Sequence, residues 1–278
     1  MNRLQLPRQK LILTSAFALF LVSNTFYITH SPAQPPVRSL ISAVRFVPPR
    51  VPPEGQRDAP KGRPRGGGTR GGDRLSLTAL VPVTEETLAA RIAGNQARLS
   101  NEKSVLALTV AEYPALWFYV PFALSGDRPI TFVLQEYQGK EHQGKEIYKT
   151  TFSVSQAQPG LVKFRLPANA APLEIGKMYH WFFAISSDAE ESVYVDGFIQ
   201  RIAPPETLAT QLQQSTPRDR AALYAANGIW HDALDTLAQL RSANPQDAKL
   251  TTDWENLFKA IGLNAIAKEP IVQCCMPN

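Results

Sequence analysis

The spacing of apolar residues along this chain of 278 residues changes twice, and each change marks a boundary. Between 75 and 203, short apolar or alternating runs recur at 75–81, 105–110, 116–120, 130–135, 146–153, 161–166, 178–185 and 193–202. Turn formers separate most of them, among them Ser125-Gly126-Asp127, Gln158-Pro159-Gly160, Pro167-Ala168-Asn169 and Ser186-Ser187-Asp188. Seven or eight short strands at this spacing predict an antiparallel β-sandwich. Residues 84–100 interrupt it with a helical period, Leu88, Ile92 and Leu99 sharing one face and Thr84 placed to cap it. The doublet Asp196-Gly197 reads as a bulge or turn within its strand.

After Pro204-Pro205 the period becomes helical. Helices are predicted over 206–215, 217–226, 230–242 and 246–261, with Thr216 capping the second, Pro217 at its first position, and Gly228 and Gly262 as stops. Ala221, Tyr224, Gly228, Trp230, Ala233, Leu237, Leu240 and Pro245 occupy the small and large packing positions of a tetratricopeptide-like helix pair. A shift of about 34 residues, the period of that repeat, brings Phe258 onto Tyr224, Gly262 onto Gly228 and Ala267 onto Ala233. One repeat and half of another cannot stand alone. The region 204–263 therefore either completes the core of the sandwich or offers a partner-binding groove, for which Tyr224, Trp230, His231 and Trp254 are the candidates. Residues 264–278 read as a tail.

The N-terminus follows different rules. Arg3, Arg8 and Lys10 precede the uncharged run Leu11–Val22, and Ser31-Pro32-Ala33 supplies small residues, which is the order of an export signal. Cleavage after Ala33 is expected, with a retained N-terminal membrane anchor as the alternative. From 34 to 74, eight prolines and seven glycines predict a disordered linker, interrupted by an apolar patch at Leu40, Ile41, Val44, Phe46 and Val47 that could dock.

Charge sharpens this division. The whole chain carries +5. The leader holds +3 and residues 34–74 hold +6, which leaves −4 on 75–278. Export and an acidic body argue against nucleic acid. The basic stretch suits an anionic membrane or polysaccharide surface, or serves as a solvated spacer.

Motifs for catalysis are sparse. Gly66-Gly67-Gly68-Thr69-Arg70-Gly71 has the dinucleotide spacing but neither the preceding strand nor the following helix. There is no H-E-x-x-H, G-x-S-x-G or Walker lysine. Cys274 and Cys275 are adjacent, a geometry poorly suited to bridging each other, and they make no zinc set. His142 lies in a duplicated turn, Gln138–His142 against Gln143–Ile147. No enzyme activity, cofactor or metal is expected. Trp117, Tyr119 and Trp181 could stack on sugar rings if exposed, although both faces of their strands look apolar.

Taken together, these segments resemble the exported, mainly cyanobacterial family called domain of unknown function 928. The resemblance rests on the Gly66–Gly71 motif, Leu77–Pro82, Leu108–Pro121, Pro172–Lys177 with Tyr179 and Trp181, Asp196–Arg201, Arg220–Tyr224 and Trp230–Leu234. It covers about 60–263. It implies export and the same boundaries, with no catalytic residues. Where it further implies cysteines, this chain has Asp73 and Ser187. The function expected is that of a non-enzymatic module of the periplasm or cell envelope that binds a protein partner or serves a structural role. A carbohydrate-binding sandwich and an envelope hydrolase are the other readings.

Overall fold

In the computed structural model the described residues are 43–49, 61–63, 76–83, 103–126, 128–137, 144–186 and 192–273, all within the compact unit 37–278. The helix expected at 84–100, the leader, the Gly66–Gly71 motif, His142, and Cys274 with Cys275 lie outside them. The strands are Lys61–Gly62 (β1), Thr78–Ala79 (β2), Lys103–Ser104 (β3), Leu106–Thr109 (β4), Ala115–Val120 (β5), Leu124–Ser125 (β6) and Ile130–Glu136 (β7). Glu146–Phe152 (β8), Gln156–Ala157 (β9), Gly160–Arg165 (β10), Met178–Ile185 (β11) and Val193–Arg201 (β12) follow. Four helices come next, Glu206–Gln214 (α1), Pro217–Ala226 (α2), Trp230–Ala243 (α3) and Ala248–Ala260 (α4), before a last strand, Ile271–Val272 (β13).

Two main sheets form, ordered β13-β10-β5-β2 and β4-β12-β11-β7-β8. Strict alternation on β11 buries Tyr179, Trp181, Phe183 and Ile185 and turns His180 and Phe182 to the opposite face. Rings from one sheet lie on rings from the other: Phe118 stacks on Phe183 and Phe132 on Phe164, both with centroids 4.0 Å apart. Such pairs contribute about 0.5–1.5 kcal/mol each beyond the area they bury. Strand β5 is buried along its whole length because it has protein on both sides. Phe118 faces the second sheet, and Trp117 reaches the helices.

Two edges depart from the antiparallel expectation. β4 runs parallel to β12, and β13 runs parallel to β10. Antiparallel neighbours follow from tight hairpins, whereas parallel ones need a crossover. Here β13 returns to the sheet only after all four helices. The expected bulge at Asp196-Gly197 is also absent, since β12 pairs with β11 in unbroken register from Val193 to Gln200. Glycine stands there for space: a Cβ on Gly197 would lie 2.5 Å from Trp181 Cζ2 and 2.7 Å from Val105 Cγ1.

Two of the helices, α2 and α4, start at side-chain caps. Thr216 Oγ1 accepts from the Asp219 N–H ahead of α2. Asp247 accepts from the N–H groups of Lys249 and Leu250 and starts α4 at 248 rather than 246. Between α2 and α3 the chain turns at Gly228, whose φ of +72° lies in the left-handed region. None of the helices among the described residues is long and apolar enough to cross a membrane.

Three expected boundaries shift. One hydrophobic cluster runs through both sheets, α2, α3, α4 and residues 263–267, so 203/204 is no division in the core. The tail expected from 264 is part of the fold through 272: Ile266 and Ala267 are buried, the Trp254 Nε1–H donates to the Ala267 carbonyl at 2.9 Å, and β13 joins a sheet. Within the expected disordered linker, residues 43–49 are docked. Val44 and Phe46 are buried, and Phe46 meets the Trp230 ring edge-on at 4.9 Å. Apolar burial there outweighs the disorder that the surrounding Pro and Gly favour. Arg63 is likewise held, its N–H donating to Asp196 Oδ1 at 2.9 Å and its guanidinium lying over the Tyr194 ring.

Candidate functional site

Every aromatic residue singled out for stacking on sugars is buried. Trp117, Tyr119 and Trp181 are 3%, 5% and 0% exposed, which removes them as a glycan platform. The cause is the double cover of β5 and the inward alternation of β11. Trp230, His231 and Trp254 are buried too and so present no partner surface. The Trp230 Nε1–H crosses to the sheets and donates to the Leu80 carbonyl at 2.7 Å. Tyr224 is half-buried between the main core and a small cluster of Leu208, Leu212 and Ile229.

Among the described residues, three groups of polar side chains stand out, each joined by contacts between residues far apart in the sequence. Asp235 on α3 is the first. It accepts from Trp117 Nε1 at 3.3 Å and Gln239 Nε2 at 2.7 Å, pairs with Arg165, and lies 3.6 Å from Lys163 Nζ. One carboxylate thus ties β5 and β10 to a helix. Arg165 also donates to the Tyr113 carbonyl at 3.1 Å. Only the long-range pairing of β5 with β10, which sets Lys163 opposite Trp117 and Arg165 opposite Ala115, explains why these groups converge.

The second group opens α3. Asp232 is half-buried and accepts from Thr109 Oγ1 at 2.7 Å and from the Val110 N–H at 3.1 Å. Burial pushes its carboxyl up to about 6, against the pull of those hydrogen bonds. Beside it, His231 is fully enclosed, and neither ring nitrogen makes a hydrogen bond of good geometry among the described residues, the Ala115 backbone being a weak polar neighbour. Burial pushes its imidazole down to about 3, with the Ala115 backbone opposing. It is a neutral packing residue at neutral pH.

The third group lies on β11 and β12. On the outer face of the five-stranded sheet, His180 Nε2 lies 2.8 Å from Asp196 Oδ2. The imidazole stacks on Phe198 and leans on Phe182, with centroids 4.1 Å away in both cases. Asp196 Oδ1 takes the Arg63 N–H, and the Asp196 N–H donates to the Arg63 carbonyl at 2.8 Å. A carboxylate that orients an imidazole is half of a general-base arrangement. Among the described residues no hydroxyl or thiol bonds the ring, so the pair's visible work is to pin residue 63 to the sheet. No group of three or more His, Cys, Asp or Glu among the described residues is placed to hold a metal.

The profile of the family described as Domain of Unknown Function (DUF928) matches residues 65–271. The chain belongs to this family. A search among curated proteins finds no match. The DUF928 span ends at Ile271 in β13, in line with a core that extends past 263. It begins at 65 and leaves residues 43–49 and Arg63, both in contact with the body, outside the matched region.

Proposed function

We propose that this protein is an exported, non-enzymatic module of the periplasm or cell envelope that works by binding protein or by structural support. The observation that carries this is how the charged and aromatic groups are used. Asp235, Asp253, Trp117 and Trp230 join strands, helices and the docked segment to one another. What remains for a partner is surface. The export signal read at 1–33 fits the fold, because the described docked segment, 43–49, lies past Ala33, and cleavage there leaves it intact. Exposed basic residues of the linker such as Arg45 suit an anionic membrane or polysaccharide surface. A tetratricopeptide-like origin of the helices is supported by the two left-handed glycines, Gly228 and Gly262, which close α2 and α4 at φ +72° and +68°.

The location is tested by fusing residues 1–40 to a reporter that is active only after export and by sequencing the mature N-terminus. Activity with a new terminus at Gln34 is the expected result; an inactive reporter overturns export. The binding role is tested with the chain from Gln34 onward, docked segment included, as bait in envelope extracts. A partner recovered in stoichiometric amount supports the role, and repeated recovery of none counts against it.

A further inference from the structure

Residues 43–49 sit on the helices as a peptide sits on a receptor. The segment is extended, with Val44 and Phe46 buried while Arg45 and Val47 stay outside. The Val44 N–H donates to Asp253 Oδ1 at 3.0 Å, and the other oxygen of that carboxylate takes Arg218 Nε at 2.7 Å. The Val47 N–H donates to the Ala225 carbonyl at 3.0 Å. From Arg218 to Ala225, α2 rises about 10 Å at 1.5 Å per residue. From Val44 to Val47, an extended chain covers about 10 Å at 3.3 Å per residue. The segment therefore spans from Asp253 on α4 to the C-terminal end of α2. Gly228 makes room at its end, since a Cβ there would lie 2.9 Å from Pro49 Cδ and 3.1 Å from the Val47 carbonyl oxygen. Main-chain hydrogen bonds with pockets for alternate side chains are how extended peptides are recognised.

We propose that the face of α2, α3 and α4 is a docking groove for an extended Val-Arg-Phe-Val-Pro-Pro segment, filled in cis by residues 43–49, and that its occupant in trans is the same segment of a second copy of this chain. This deepens the binding-module reading and rests on it. The second copy follows from what is seated in the groove: the fitting sequence is carried by every copy. Residues 50–60 separate it from β1, a contour of about 36–40 Å, enough to reach a neighbour. Short tethers give effective concentrations in the millimolar range. Cis docking therefore prevails in dilute solution, and exchange between copies grows with crowding.

The test uses the full chain carrying Val44→Asp and Phe46→Ser, which expels its own segment, and a fluorescein-labelled peptide of residues 41–51 read by anisotropy. The peptide should bind this variant saturably and the wild-type chain at least tenfold more weakly. A peptide carrying Phe46→Ala should lose at least tenfold on the variant. Equal binding of both peptides to both chains, or no binding by a variant with wild-type helical circular dichroism, overturns the groove. Should the variant not fold, a wild-type chain with a protease site inserted at Gly55 is cut after folding. Replacement of the cut segment by labelled peptide supports the groove; failure of labelled peptide to enter in a hundredfold excess overturns it. In sedimentation, wild-type chains should associate reversibly at high concentration and Phe46→Ser chains should not. Wild type that stays monomeric up to millimolar concentration removes the second copy as occupant. These outcomes do not depend on export, so the two proposals fail separately.

Discussion

His231 and Asp232 are adjacent, yet they load stability with opposite signs. An imidazole near 6.5 when unfolded and near 3 when folded binds more protons in the unfolded chain between those values, so its contribution rises with pH over that window. A carboxyl raised from 3.8 to about 6 binds more protons in the folded chain, so its contribution falls as pH rises from about 4 to 6. His231→Phe should therefore make stability drop with rising pH relative to wild type, and Asp232→Asn should make it climb. Urea midpoints at pH 4, 5 and 6 for the three proteins check this, and parallel curves contradict it. Gly197 supplies a second test at this scale. Gly197→Ala forces a methyl against Trp181 and Val105 and should cost about 1–3 kcal/mol as an overpacked core site. The sequence marks Asp196-Gly197 but suggests a bulge there, because the indole that needs the space arrives from another strand.

Between elements, a few side chains carry the joins. Asp235→Ala removes the acceptor shared by Trp117, Arg165, Lys163 and Gln239. A fully buried pair broken this way costs about 3–5 kcal/mol. Both cations are partly exposed and screened by water, so a loss of about 2–3 kcal/mol is expected, measured by chemical denaturation. Asp247→Ala, which removes two cap hydrogen bonds, should cost about 1 kcal/mol. The strands and helices themselves are largely legible in the sequence. Tyr179, Trp181, Phe183 and Ile185 alternate within β11, and Thr216-Pro217 starts α2 where it is observed. What joins them is not legible, since Asp235 is 70 residues from Arg165 and 118 from Trp117. Local pattern reports which face is apolar, and only the completed topology reports what that face meets. The buried fate of Trp117 and Tyr119 follows from the same logic: a doubly covered strand and an exposed aromatic ladder look alike in one dimension.

At the scale of the whole molecule, sheets, helices and docked segment share one core. Phe46 rests on Trp230, Trp230 reaches Leu80, and Ile271 pairs with Leu161. The apolar patch at 44–47 is visible in the sequence as an interruption of a Pro-rich stretch, but its socket is assembled from helices at Ala225 and Asp253, the latter 209 residues from Val44. Phe46→Ala should lower the stability of the entire body by about 3 kcal/mol in a single transition, rather than loosen the N-terminus alone. Two-probe unfolding, by tryptophan emission and helical circular dichroism, separates those outcomes. The most direct measurement removes the helices together with β13: a chain of residues 34–203 is purified and melted. A single shared core predicts a fragment that aggregates or shows no cooperative transition, because the outer face of β5 is left bare. A soluble fragment that melts cooperatively would show that the sheets stand alone and that the helices are an appendage.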